Sequence, residues 1–145
     1  MEKIEAWLGD KPWDVIHFNW GLHDVKIMED GKHQVALKQY KKNFHKLVTR
    51  LTKTGARLIW CSTTPVPQVP IEKMRPPRRW QDVIRYNAAA KEIADKSKIP
   101  INDLYSFALP RLDKIQRKNN VHFTKEGSKM LAAQVVREIK KVLMH

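Results

Sequence analysis

The sequence is poor in several things that would have fixed its class at once. It holds one cysteine, Cys61, among 145 residues, which excludes an internal disulfide and a multi-cysteine zinc site. No apolar run approaches the roughly 18 residues of a membrane-spanning helix. The opening Met1-Glu2-Lys3-Ile4-Glu5 shows no basic-then-apolar leader pattern. There is no internal repeat and no low-complexity tract, and nothing in the sequence assigns a compartment. Acidic residues are few, 15 against 28 lysines and arginines, so the formal charge is +13.

What is present describes one folded unit. At 42% hydrophobic and 30% charged residues, the composition excludes a disordered chain. The length suits a single domain over 1–145, able to bury roughly 70% of its unfolded surface. The charge raises nucleic acid as a partner. However, the cations are spread over 38–50, Arg75, Arg78, Arg79, 111–118, Arg137, Lys140 and Lys141. No helix-turn-helix, zinc finger or aromatic RNA-binding motif accompanies them. They read as a solvated basic surface, and nucleic acid is not the expected partner. A second reading gives Arg78, Arg79, Arg117 and Lys118 to an anionic substrate such as an acidic polysaccharide.

Strand-like and helix-like segments alternate. Residues 2–8 read as a short helix ending at Gly9. Trp13 to Phe18 reads as a strand and 34–54 as an amphipathic helix, with Leu37, Tyr40, Phe44, Leu47, Val48 and Leu51 on one side. Residues 57–62 form a second strand, followed by a proline-rich connection over 63–79 that is long for a compact domain. A helix over 80–96 has Val83, Ile84, Ala90, Ile93 and Ala94 on its apolar side. A short strand over 99–103 carries Pro100, which suits an edge or a strand start. A short helix or turn covers 104–113. A last helix after Thr124 turns Met130, Leu131, Val135, Ile139, Val142 and Leu143 inward. Strands separated by helices imply a parallel sheet covered on both faces. Three strands make a small sheet for such helices, and the first strand looks internal.

Ligands of open parallel sheets bind beyond the carboxyl ends of the strands. That directs attention to Asn19, His23 and Asp24, to Thr63 and Thr64, and to Asn119, Asn120 and His122. His122, just before the last helix, suits a general base toward a hydroxyl if a partner fixes its tautomer; the alternative is a surface histidine beside a helix start. In Gly21-Leu22-His23-Asp24 the glycine permits a tight turn and close backbone approach. His23 could then donate to an oxyanion, the alternative being a turn capped by Asp24. His17, inside a strand, reads as structural. No histidine pair has metal-ligand spacing, and neither metal nor cofactor is expected.

Taken as a pair, Gly21-x-His23-Asp24 after a strand and Asn119-Asn120-Val121-His122-Phe123-Thr124-x-x-Gly127 before the final helix resemble two sequence blocks of the SGNH/GDSL hydrolase family. Residues 13–24, with histidine where the family usually has asparagine, together with Asn102-Asp103-Leu104-Tyr105 and Thr63 to Pro67, are similar to one branch of it. The resemblance implies a flavodoxin-like fold with a five-stranded sheet. It implies a serine esterase acting on acyl or acetyl esters of carbohydrates or lipids. By position it makes His122 the base, Asn119 or Asn120 the stand-in for the orienting aspartate, and Gly21, His23, Asp24 and Asn19 the oxyanion and substrate side. The family's Gly-Asp-Ser block is absent: Gly9-Asp10 is followed by Lys11, and Ser62, Ser97, Ser106 and Ser128 lie outside any such motif. The expectation is therefore a domain lacking its first two strands, inactive by itself and exposing strand 13–18 to self-association. The alternative is a non-catalytic binding domain for carbohydrate or nucleic acid.

Overall fold

The computed structural model describes residues 3–144; Met1, Glu2 and His145, at the ends of the expected domain, lie outside the described residues. The elements follow in the order α1 (Ile4–Leu8), β1 (Val15–Phe18), α2 (Leu37–Thr52), β2 (Arg57–Cys61), α3 (Trp80–Lys96), β3 (Ile101–Asn102), α4 (Leu104–Ala108), α5 (Leu112–Ile115) and α6 (Lys125–Met144). Among the described residues the sheet has three strands in the order β1-β2-β3. Both pairings are parallel, with Val15 opposite Arg57, Phe18 opposite Trp60, and Cys61 opposite Asn102. β3 is an edge strand, as Pro100 suggested. Among the described residues β1 lies at the other edge.

The core lies on one face of the sheet. Leu58 and Trp60 of β2 alternate onto the side where α1, α2 and α3 pack, and with Phe18, Tyr40, Phe44, Leu51, Val83 and Tyr86 they form one buried cluster. Phe44 is its hub, with ring centroids 5.8 to 6.2 Å from Phe18, Trp20, Tyr40 and Trp60. Such tilted and edge-to-face pairs are worth about 0.5–1.5 kcal/mol each beyond burial. On α3 the apolar side differs from expectation at Ile84, which is 41% exposed. Its place is taken by Asp82 and Tyr86, both buried. Each has a partner that makes burial tolerable: His33 Nε2 lies 2.8 Å from Asp82 Oδ2, and the Tyr86 hydroxyl donates to the Val35 carbonyl at 2.6 Å.

The opposite face carries α6, packed against β1, β3, α4 and α5. Here the inward apolar stripe is corrected. Only Gly127 and Gln134 of α6 are buried; Leu131, Val135, Ile139 and Val142 are half-buried, and Met130 and Leu143 are exposed. A 20-residue helix needs more sheet than β1, β2 and a two-residue β3 present to it. The inner contact is polar instead. Asn102, fully buried, donates from Nδ2 to His17 Nε2 at 3.1 Å and accepts from Gln134 Nε2 at 3.2 Å. His17 is thus the structural residue it was read to be.

Candidate active site

Three loops meet beyond the carboxyl ends of the strands. β1 runs directly into Asn19, whose Nδ2 donates to the Cys61 carbonyl at 2.7 Å and lies 3.4 Å from Thr63 Oγ1. The segments leaving β1 and β2 are therefore joined at their first residues. Gly21 follows with φ +151°, and a Cβ there would stand 2.4 Å from Thr63 Oγ1. Only a glycine lets the two segments come this close. Thr63 is itself held by α3: its N–H donates to Asn87 Oδ1 at 2.9 Å, and Asn87 Nδ2 donates to its carbonyl at 2.8 Å. Asn87 carried no signal in the sequence, being one polar residue on a helix.

After Gly21 the chain makes a single helical turn, closed by the Val25 N–H on the Gly21 carbonyl at 3.1 Å. His23 stands exposed on the outside of this turn, whereas Asp24 is half-buried. Burial pushes the Asp24 carboxyl above the usual range, against the pull of its own backbone N–H and of His23. Its charge is felt by two hydroxyls. Burial first, then Asp24, holds Tyr40 well above the ordinary tyrosine value. Burial, Asp82 and Asp24 push Tyr86 up to about 12. Both therefore stay protonated, and Tyr40 donates to the Trp20 carbonyl at 2.8 Å.

Arg78 is not a rim cation. It is 4% exposed, and its Nε donates to the Leu22 carbonyl at 2.8 Å while Nη1 donates to the Pro76 carbonyl at 3.1 Å. Burial depresses its pKa. It fastens the underside of the turn to the proline-rich connection and is removed from the anionic-substrate reading.

His122 sits on a small hairpin between α5 and α6. Gln116 and Phe123 pair as an antiparallel bridge. The Arg117 N–H donates to the His122 carbonyl at 2.9 Å and the Asn120 N–H to the Arg117 carbonyl at 3.1 Å. Asn119, at the tip, has φ +53°, a conformation asparagine tolerates better than most residues. The base of the hairpin is fixed to α6. Thr124 Oγ1 accepts the Gly127 N–H at 3.0 Å, a helix-start cap. A Cβ on Gly127 would fall 2.3 Å from the Ile115 carbonyl oxygen. Gln116 Nε2 moors the hairpin to the second loop through the Pro65 carbonyl at 2.8 Å, a tie the sequence did not announce.

The imidazole of His122 is exposed and held by Asn120. Asn120 Oδ1 lies 2.9 Å from the His122 N–H and 2.6 Å from His122 Nδ1. A carbonyl oxygen only accepts, so this amide orientation places the proton on Nδ1 and leaves the Nε2 lone pair available. Asn119 makes no such contact. It lines a separate cavity of about 570 Å³ with Val69, Leu109, Leu112, Gln116 and Arg117. Asn19 and Gly21 meet Thr63, and the His122 hairpin meets Pro65, so the two motifs share one short segment. No hydrogen bond joins His122 to Asn19, Gly21 or His23 among the described residues.

Among the described residues no serine occupies a nucleophile turn. Ser62, the nearest to the rim, is buried, donates to Asp103 Oδ1 at 2.8 Å and accepts the Tyr105 N–H at 2.9 Å. Burial opposes the Asp103 charge, but hydrogen bonds from Ser106, Ser62 and Tyr105 prevail and hold its pKa below the usual value. Among the described residues, no three His, Cys, Asp or Glu side chains gather as metal ligands. No described helix is long and apolar enough to cross a membrane.

A sequence model of the GDSL-like Lipase/Acylhydrolase family matches residues 2–130. The chain belongs to this family. Solved structures repeat its fold, a flavodoxin-like α/β sandwich with a parallel sheet. A lipase/acylhydrolase from Enterococcus faecalis aligns with TM-score 0.73 at 21% identity, over 88% of this chain and 62% of that one. An acetyl xylan esterase aligns with TM-score 0.72 at 16% identity, over 87% and 67% of the two chains. A GDSL-like lipase from Bacteroides thetaiotaomicron aligns with TM-score 0.69 at 20% identity, over 88% and 62%. The family member described here thus spans less than two thirds of the length of the first and third of these structures. Among curated proteins, no sequence matches.

Proposed function

We propose that this family member carries the base and oxyanion side of an ester-hydrolysing site for acyl or acetyl groups on a carbohydrate or lipid. The observation that supports it most is the Asn120–His122 contact, which presents the Nε2 lone pair outward. In the proposed step, Nε2 takes the proton of an attacking hydroxyl as its oxygen adds to the ester carbonyl. Gly21 and His23 face the oxyanion, with Asn19 and Asp24 shaping the turn that carries them. The proton then passes from His122 to the leaving alcohol as the carbonyl re-forms and the C–O bond breaks.

Two features limit turnover. The sequence offers no serine in a Gly-Asp-Ser block. The orienting group is an amide, and in a serine-protease triad the comparable Asp-to-Asn change costs about 10⁴ in rate. The chain by itself is therefore expected to cleave p-nitrophenyl acetate little or not at all, with no burst sensitive to a serine-directed phosphonate. A phosphonate-sensitive burst overturns that part. The same two features favour, as a second reading, a domain that binds ester-bearing glycans without turning them over. Amide NMR titration with an O-acetylated xylo-oligosaccharide examines the site itself. Shifts concentrated at Gly21, His23, Asn120 and His122, and weaker with the deacetylated sugar, support it. Equal shifts with both sugars, or shifts elsewhere, refute it.

A further inference from the structure

Positive charge is not spread evenly over this molecule. Between Asp30 and Glu72 the sequence holds eight lysines and arginines and no carboxylate. Five of the eight lie on α2, whose orientation is fixed by the burial of Tyr40, Phe44, Val48 and Leu51. The side turned away from them carries Lys38, Lys42, His45, Lys46 and Thr49, with Lys53 at the C-cap, and every one of these is exposed. Lys38, Lys42 and Lys46 follow at four-residue spacing, about 6 Å apart along the axis, and Lys53 extends the ridge to about 22 Å. The cations on its flanks are answered: Lys41 pairs with Glu92 at 2.8 Å, and Arg50 with Glu5. Comparable pairs occur on α3, where Lys91 meets Asp95 at 2.7 Å, and on α6, where Lys141 meets Glu138 at 2.9 Å. Among the described residues no carboxylate pairs with Lys38, Lys42, Lys46 or Lys53.

We propose that this ridge binds a linear polysaccharide bearing carboxylates, seated along α2. Within the fold the ridge only destabilises. Like charges at four-residue spacing weaken a helix, and Lys38 in the first turn opposes the helix dipole. An anionic chain laid along the ridge relieves both. The composition selects the kind of chain. The ridge has no apolar or aromatic side chain, so nothing enters a bilayer or stacks on an unpaired base. It has no arginine, the residue whose forked donors suit phosphate. Lysine point charges suit carboxylates, and the ridge also offers a hydroxyl. Thr49 Oγ1 donates to the His45 carbonyl at 2.9 Å, which leaves its oxygen to accept from a sugar hydroxyl. The proposal is independent of the hydrolytic reading, since it uses no residue of the Gly21 or His122 loops.

Affinity electrophoresis through gels containing polygalacturonate tests this, with neutral xylan as the control. Two triple variants are compared. One removes the ridge, Lys38→Gln with Lys42→Gln and Lys46→Gln. The other removes three exposed lysines elsewhere, Lys73→Gln with Lys129→Gln and Lys140→Gln, so both lose the same charge. The ridge variant should melt no lower than the parent, because it relieves the like-charge spacing and glutamine is as good a helix former as lysine. The parent is expected to be retarded by polygalacturonate and not by xylan, and less so as salt is added. The ridge variant should bind about tenfold more weakly, whereas the dispersed variant should stay within about twofold of the parent. Equal weakening in both variants makes net charge responsible and overturns the proposal. So does a parent that polygalacturonate does not retard, or a ridge variant that loses affinity for duplex DNA but not for polygalacturonate.

Discussion

Gly21 against Thr63 is the contact on which the first site loop turns, and it can be measured as a coupling energy. Ala at position 21 puts a Cβ 2.4 Å from Thr63 Oγ1 but 3.5 Å from Thr63 Cβ. The clash therefore belongs to the hydroxyl alone. Relieving it by local shifts costs about 1–3 kcal/mol. The backbone at φ +151° adds a separate penalty of about 1–3 kcal/mol for an L residue, whatever the space. Gly21→Ala is thus expected to cost about 4 kcal/mol, a large share of the ~5–15 kcal/mol that holds a domain. Thr63→Ala removes the obstructing oxygen and gives up only the long 3.4 Å contact with Asn19, worth about 0.5 kcal/mol. In the Thr63→Ala background Gly21→Ala should then cost only its backbone part, about 2 kcal/mol, leaving a coupling of about 2 kcal/mol between the sites. Urea unfolding of the four proteins reads this directly. Gly21→Ala costing the same in both backgrounds, or less than about 1 kcal/mol in either, refutes the reasoning.

Three further outcomes follow from the same geometry. Gly127→Ala should gain about 1 kcal/mol from helix propensity yet lose more against the Ile115 carbonyl at 2.3 Å. A net loss of about 1–2 kcal/mol in urea is expected, and an unchanged or raised midpoint contradicts the packing of α6. Burial holds the His17 pKa below its ordinary 6.5, so as pH falls below that value the unfolded chain takes up the proton first and stability declines. His17→Gln should flatten stability between about pH 5 and 7, and an undiminished slope excludes His17 as its source. Asn120→Ala should release the His122 ring from its Nδ1–H tautomer, read from ring ¹⁵N shifts, while Asn119→Ala should leave the tautomer alone. A ring already in the Nε2–H form in the parent refutes the assignment.

The elements legible in the sequence were those carried by strong periodicity. The helix over 80–96 was placed to the residue, and the strand at 57–62 to within one position, because their patterns are supported by a real core. The α6 stripe had equally good spacing and still failed. Burial depends on what lies opposite, and a pattern on one element says nothing about the extent of its neighbour. The same limit explains Ile84, Asp82 and Arg78. Ile84 looks like core and Asp82 and Arg78 look like surface until the partners are known. Asp82 meets His33 and Arg78 meets the Leu22 carbonyl, contacts that span 49 and 56 residues of sequence. In the site, Gly21 and Gly127 were visible as punctuation, but the atoms they make room for, Thr63 Oγ1 and the Ile115 carbonyl, were not.

Of Asn119 and Asn120, it is Asn120 whose side chain lies against the His122 ring. The spacing puts the orienting residue three before the histidine, at Asn119. The Arg117–Asn120 turn carries Asn119 elsewhere. A residue at φ +53° occupies the tip of the hairpin, and the Asn119 side chain is carried to the cavity wall beside Val69 and Leu109. Asn120 follows the tip, and its short side chain caps the His122 N–H and reaches Nδ1 with the same oxygen. One amide thus fixes both the backbone and the tautomer of the proposed base. The tautomer does not require a carboxylate, but stabilising the imidazolium formed during proton transfer does. An amide here keeps the geometry of a general base while withholding the charge that would make it a strong one.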